Sequence, residues 1–293
     1  MNSARPEILR PDPEGIDRAA ALLGAGALVA FPTETVYGLG ADARDGTAVA
    51  GIYTAKGRPS FNPLIVHVAS TDHARRLALW SETAERLAGH FWPGPLSLVL
   101  PLAADHGLSS LVTAGLPSVA IRVPAHPAAQ ALLTVFDGPV AAPSANPSGR
   151  ISPTTAQHVI DGLGSRVDAI LDDGPCEVGL ESTIVGLTAA PQLLRAGGIA
   201  REDIEALLGA PLQDPATGDI SAPGQLTSHY APRAAVRLNA LGKHDGEVLL
   251  GFGQMDCDLN LSATGDLNEA AAHLFEYLHR LDATGRPIAV APV

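Results

Sequence analysis

The chain has 293 residues, 46% of them apolar and 17% charged, enough for one large globular domain plus a smaller one and too apolar for a disordered or fibrous protein. Nineteen basic against 31 acidic residues leave a formal charge of −12, which excludes broad non-specific binding to DNA or to an anionic membrane, so any RNA contact would be local. Cys176 and Cys257 stand far apart with no second thiol or imidazole at ligand spacing, so neither a disulfide framework nor a cysteine-based zinc site is expected, and a reducing compartment is the default.

Asp12-Pro13 reads as an N-cap followed by proline at the first helical position, with Ile16, Ala19, Ala20 and Leu23 forming the helical stripe that Gly24 and Gly26 end. The apolar run from Ala19 to Phe31 is too short to span a bilayer, and the mixed charges before it do not suit a signal peptide, so a cytoplasmic protein with no membrane partner is expected. Ala27 to Phe31 reads as a buried strand. A helix over 47–56 closed by Gly57, a strand over 64–68 and helical stretches over 71–90 follow. After the Trp92-Pro93-Gly94-Pro95 turn, strands are expected at 96–100 and 119–123, a helix at 127–136 and a strand at 139–142. A helix capped by Ser152 with Pro153 at its first position comes next, then strands near Ala169, Thr183 and Leu193 and a helix over 201–209. Helices interleaved with short apolar strands predict an α/β layered domain with a mixed sheet over residues 1–209.

Residues 210–233 change character, carrying Pro211, Pro215, Gly218, Pro223, Gly224 and Pro232 with little periodicity, and are read as a long surface linker. Residues 234–293 then give a strand at 247–252, an amphipathic helix at 267–281 and a final strand at 288–290, a small C-terminal α/β domain.

No phosphate-binding Gly-rich fingerprint is present: Gly38-x-Gly40 and Gly251-x-Gly253 both lack the third glycine of a dinucleotide loop. ATP is not thereby excluded, because Arg, Lys and helix N-termini also hold phosphates. Four blocks carry the chemistry. Pro32-Thr33-Glu34-Thr35-Val36-Tyr37-Gly38-Leu39-Gly40 is a polar, flexible segment directly after a buried strand, where open α/β sheets place ligands. Lys56-Gly57-Arg58-Pro59-Ser60-Phe61-Asn62-Pro63 sets two cations in a stiffened loop suited to phosphate or carboxylate oxygens; equally, Lys56 could complement its helix end and Arg58 be solvated. His67 follows inside an apolar run, the usual setting of a core histidine. Pro143-Ser144-Ala145-Asn146-Pro147-Ser148-Gly149 lets a ligand approach backbone amides, or is simply a turn. Glu181-Ser182-Thr183-Ile184-Val185 and Leu194-Arg195-Ala196-Gly197 place a hydroxyl and a cation on edges of the same sheet.

In this order and spacing the blocks closely resemble the YrdC-domain family, and the linker and tail resemble its two-domain members, the threonylcarbamoyl-AMP synthases. The resemblance implies a YrdC-like twisted mixed sheet with flanking helices. It also implies an activity: ATP, L-threonine and bicarbonate give threonylcarbamoyl-adenylate and pyrophosphate, and a separate tRNA threonylcarbamoyl-transferase machinery accepts the product. By motif match, Thr35, His67, Arg122 and Ser182 would surround threonine. Lys56, Arg58, Asn62, Ser144, Asn146, Ser152, Arg195 and Tyr230 would surround ATP, with Lys56 and Arg58 the catalytic pair on the triphosphate and Mg²⁺ arriving with the nucleotide, without dedicated protein ligands. The segment from Ala222 to Pro232 resembles the family's stretch that folds back over the site, which implies a lid. Gln225 stands where that linker usually has an apolar residue. The family's second domain normally runs on through a further helical segment, so a truncated tail is one reading of the end at Val293.

Two other functions compete. A carbamoyl-adenylate-forming enzyme shares the catalytic domain but carries zinc-finger and acylphosphatase regions, for which two isolated cysteines give no support. An RNA-binding module would need a local basic patch, against the net charge of −12.

Overall fold

In the computed structural model, which describes residues 5–215 and 230–293, the short apolar runs assemble into one ten-stranded mixed sheet. Its strands are β1 (Glu7–Leu9), β2 (Val29–Phe31), β3 (Gly38–Asp42), β4 (Ile65–His67), β5 (Leu96–Pro101), β6 (Ser118–Arg122), β7 (Val140–Ala141), β8 (Ala169–Leu171), β9 (Thr183–Gly186) and β10 (Gln192–Arg195). They lie in the order β1-β8-β2-β3-β7-β4-β6-β5-β9-β10. Parallel pairing of β4 with β6 and of β5 with β9 alternates with antiparallel β3/β7, β4/β7 and β5/β6.

Helices cover both faces, so the central strands are buried on both sides and read as unbroken apolar runs. The helices are α1 (Pro13–Gly24), α2 (Gly46–Lys56), α3 (Thr71–Leu77), α4 (Glu82–Phe91), α5 (Ser110–Thr113), α6 (Pro127–Phe136), α7 (Ala156–Leu163) and α8 (Arg201–Leu208). Strand alternation sorts the side chains. Val29 and Phe31 meet Ile16 and Leu23 of α1 and Leu132 and Leu133 of α6 on one face. Ala30, Val66, Leu98 and Ile121 meet Ile52 of α2 and Leu87 of α4 on the other.

Two expectations are corrected. The glycine-rich Gly38–Asp42 is a strand, not loop: a Cβ at Gly40 would stand 2.9 Å from the Phe31 ring and 3.0 Å from the Val29 carbonyl, so glycine is what lets β3 close on β2. Ser152 is not a helix cap. The helix starts at Ala156, capped by Thr155, whose side chain accepts from the His158 amide; the Ser152 hydroxyl instead donates to Glu181, and the Pro153 carbonyl takes the Tyr37 amide.

A second, all-parallel sheet follows, with β11 (Val236–Arg237), β12 (Val248–Gly251), β13 (Leu259–Asn260) and β14 (Ile288–Val290) in the order β11-β14-β12-β13. Its helix α9 (Leu267–Asp282) is capped by Asp266 and buries Phe275, Leu278 and Leu281. This cluster also takes in Val36 and Ile151 of the large unit, so the two units share apolar surface beside the motif loops. Ser228, His229 and Gln225 of the expected lid lie outside the described residues. Among the described residues no helix is long and apolar enough to cross a membrane.

Candidate active site

Strand register sets the site. His67 and Arg122 end the parallel strands β4 and β6 as direct neighbours, and Gly38 at the start of β3 bridges to Ser144 just past β7. The Ser182–Thr183 entry into β9 lies beside β5. Strand ends from the middle of the sheet and the adjoining loops thereby line one cleft, whose walls include Thr35, Arg58, His67, Arg122, Ser144 and Arg195.

On one side, Arg122 is 3% exposed and held by three groups. Nη1 donates to Thr35 Oγ1 at 2.8 Å, Nε to the Gly94 carbonyl at 3.2 Å, and Nη2 lies 2.6 Å from Glu34 Oε1. That last contact is an ion pair out of hydrogen-bond alignment, since both atoms lack an aligned partner among the described residues. The other Glu34 oxygen accepts the Ala125 amide at 3.0 Å. Thr33 Oγ1 donates to the Val36 carbonyl and lies 2.8 Å from Thr35 Oγ1, which fixes the Thr35 hydroxyl as an acceptor for Arg122. Burial and the Arg122 charge, opposed by the Ile65 backbone, pull the His67 imidazole down to about 3, so the ring is neutral, and its buried Nδ1 has no aligned partner among the described residues.

Also on the cleft wall, Arg195 Nε donates to the Ser182 carbonyl at 3.0 Å and Nη2 to Ser182 Oγ at 2.9 Å, while Ser97 Oγ lies 2.8 Å from the same hydroxyl. Glu181 is the cleft's carboxylate: it accepts from Ser152 Oγ at 2.7 Å and lies 3.5 Å from Arg195 Nη2. Arg58 donates to the carbonyls of Asn62 and Pro63 within its own loop, and burial lowers it to about 10.

Seven of the residues singled out from the sequence therefore line the cleft: Thr35, Arg58, His67, Arg122, Ser144, Ser182 and Arg195. Five do not. Lys56 is buried beneath the 144–146 loop, its ammonium donating to the carbonyls of Ser144 and Asn146, and burial together with Arg58 lowers its pKa. Asn62 is fully buried with neither amide atom partnered among the described residues. The Asn146 amide is spent on the carbonyls of Pro147 and Arg150, so it shapes its own loop. Ser152 stands behind Glu181. Tyr230, in the left-handed region at φ 58°, packs on Phe275 of α9 with ring centroids 5.2 Å apart and meets Arg195 and Glu181 of the wall from behind, where burial and the Glu181 charge push its hydroxyl up. Sequence reasoning passed over Glu34 and Glu181 as site residues, although both stand inside quoted motifs next to a chosen hydroxyl residue.

A mixed α/β sheet whose strand ends and adjoining loops bring arginines, hydroxyls and an imidazole into one cleft defines the class: an α/β enzyme fold with a polar cleft at its strand ends. The chain belongs to the Sua5/YciO/YrdC family: residues 21–197 match that family's model, described as telomere recombination, and residues 199–293 match the C-terminal domain of threonylcarbamoyl-AMP synthase. The threonylcarbamoyl-AMP synthase of Pyrococcus abyssi is 42% identical over 297 residues, covering 93% of this chain and 87% of that protein. The Bacillus subtilis enzyme of the same name is 49% identical over 238 residues, 79% of this chain and 68% of its own. The crystal structure of P. abyssi Sua5 complexed with L-threonine superposes with a TM-score of 0.89 at 39% identity, covering 97% of this chain and 91% of that one.

Proposed function

We propose that this protein is an L-threonylcarbamoyl-AMP synthase, a nucleotidyltransferase that joins L-threonine, bicarbonate and ATP into threonylcarbamoyl-adenylate, releasing pyrophosphate and water, and that the adenylate serves tRNA modification. The observation that carries the reading is that one cleft collects Arg122 with the Thr35 hydroxyl, Arg195 with the Ser182 hydroxyl, and Arg58. Arg122 receives the amino-acid carboxylate, since its guanidinium is already aimed by Thr35 and Gly94. Thr35 and Ser182 meet the remaining polar groups of threonine. Neutral His67 adds no charge beside Arg122, which keeps that wall matched to a single carboxylate.

Bicarbonate gives up water to supply carbon dioxide, the threonine amine adds to it and loses a proton as the carbamate forms, and the carbamate oxygen then attacks the α-phosphate with pyrophosphate leaving. No protein nucleophile is needed, so catalysis rests on positioning and on charge placed where it develops. Arg58 and Arg195 face the triphosphate. Lys56 acts from beneath by fixing the Ser144 and Asn146 carbonyls, and the Asn62 amide, without a partner among the described residues, lies buried behind the Arg58 loop.

Among the described residues no three metal-binding side chains cluster, and Glu181 is the single carboxylate on the cleft wall against three arginines. That donor set suits Mg²⁺ carried in on ATP, with Glu181 the side chain to hold it. The bound ion would neutralise phosphate oxygens. Product passes to the tRNA-modifying transferase, and a cytoplasmic location fits that partner.

Pyrophosphate release measured with and without threonine and bicarbonate tests the reading. Release should require both. Threonine-independent release with carbamoyl phosphate would assign the carbamoyl-adenylate chemistry instead, and salt-sensitive RNA retention without turnover would assign an RNA-binding module.

A further inference from the structure

The second unit packs behind the cleft wall through one helix face. Ala272, Phe275, Glu276 and His279 of α9 recur at helical spacing on one side, where Phe275 meets Tyr230, and Glu276 and His279 meet His158 of α7. The two imidazoles stack with centroids 3.8 Å apart and planes 16° off parallel. Their hydrogen bonds fix both tautomers. His158 Nδ1 accepts the Thr154 amide, leaving Nε2–H toward Glu276 Oε2 at 3.4 Å. His279 Nε2 stands 3.0 Å from the Ser152 carbonyl, which can only accept, so the imidazole donates there.

Ser152 is fully buried and turns its hydroxyl to Glu181 Oε1 at 2.7 Å, and Glu181 lies on the cleft wall beside Arg195. The next carbonyl along, that of Pro153, is held from the opposite direction by the Tyr37 amide at 2.8 Å. The Ser152–Pro153 segment is thus clamped between the large sheet and α9, and a shift at His279 would be felt at Glu181.

We propose that His279 is a positioning residue of the nucleotide side of the cleft, fixing Ser152 and, through it, the Glu181 carboxylate. The proposal rests on the reading that this wall faces ATP. It gives the small unit a direct part in building the site, in addition to packing against it.

The test measures ATP affinity by calorimetry without threonine, and threonine affinity separately, on the full chain. His279→Phe keeps a ring for the stack and removes the donor, and should weaken ATP between about two- and tenfold, the worth of one backbone-directed hydrogen bond, with threonine unchanged. His279→Gln restores a donor and should recover most of the loss. In a Ser152→Ala background the His279→Phe effect should largely vanish, because the relay is already cut. Unchanged ATP affinity in His279→Phe overturns the proposal, and so does an equal loss for both ligands together with a lowered unfolding midpoint, which would make His279 purely structural. Unchanged ATP affinity in Ser152→Ala alone would instead overturn the nucleotide reading of this wall.

Discussion

Glu34 and Arg122 form a buried pair in which the carboxylate stands behind the guanidinium, away from the cleft. Glu34→Gln keeps the shape but leaves the Arg122 charge with less compensation. Breaking such a pair costs on the order of 3 kcal/mol, and thermal unfolding should show the loss. A bound threonine carboxylate would no longer compete with Glu34 for Arg122, so threonine should raise the melting temperature of Glu34→Gln by more than it raises that of the wild type. An equal or smaller rise would show that Glu34 is not a rival for the guanidinium. Arg122→Ala removes the charge-assisted bond itself and should weaken threonine by roughly 1.5 to 3 kcal/mol. ATP affinity should change much less, and calorimetry giving equal losses for both ligands would remove Arg122 from the carboxylate role. The residue scale also shows why some site chemistry was legible in the sequence and some was not. Hydroxyls and cations in unusual motifs announce themselves, whereas Glu34 and Glu181 draw their meaning from Arg122 and Ser152, distant in sequence.

Local signals located most elements because each strand run is bounded by a cap or a breaker. The helix expected at 127–136 is found as Pro127–Phe136, with His126 accepting the Ala128 amide at its start. Ser152-Pro153 misled because its capping chemistry is spent on long-range bonds, and β3 was hidden by glycines needed for close strand approach. Gly179 makes a similar demand at the joint between the units. It sits at φ 68°, and a Cβ there would stand 2.4 Å from the Ala272 carbonyl in α9. Gly179→Ala therefore forces both a left-handed alanine and a displaced helix. Limited proteolysis should show faster cleavage of the C-terminal unit while the ten-stranded sheet stays resistant. Unchanged cleavage would mean that α9 does not press on this loop in solution.

At the scale of the whole molecule, the packed joint between the units carries a pH dependence. His279 is held down to about 4, first by burial and then by the neighbouring His158, although the Ser152 carbonyl, Glu276 and Asp282 pull the other way. His158 is likewise lowered by burial, opposed by Asp161. Between the ordinary histidine value near 6.5 and the folded value near 4, the unfolded chain binds more protons than the folded one. Stability should therefore be fully present above about pH 6.5 and fall as the pH drops toward 4. Protonation does not remove the donor to Ser152, since Nε2 already carries its hydrogen; it places charge in a stacked, desolvated pair, so the joint weakens while the large sheet keeps its own core. Urea unfolding at pH 7 and pH 5 checks this, read at tyrosine residues near the joint and by far-ultraviolet circular dichroism for the whole chain. The wild type should lose midpoint at pH 5, and His158→Gln/His279→Gln should lose less, because the groups that take up protons on unfolding are gone. An identical pH response in that double variant would place the acid sensitivity elsewhere, His67 being the next histidine whose burial holds it neutral.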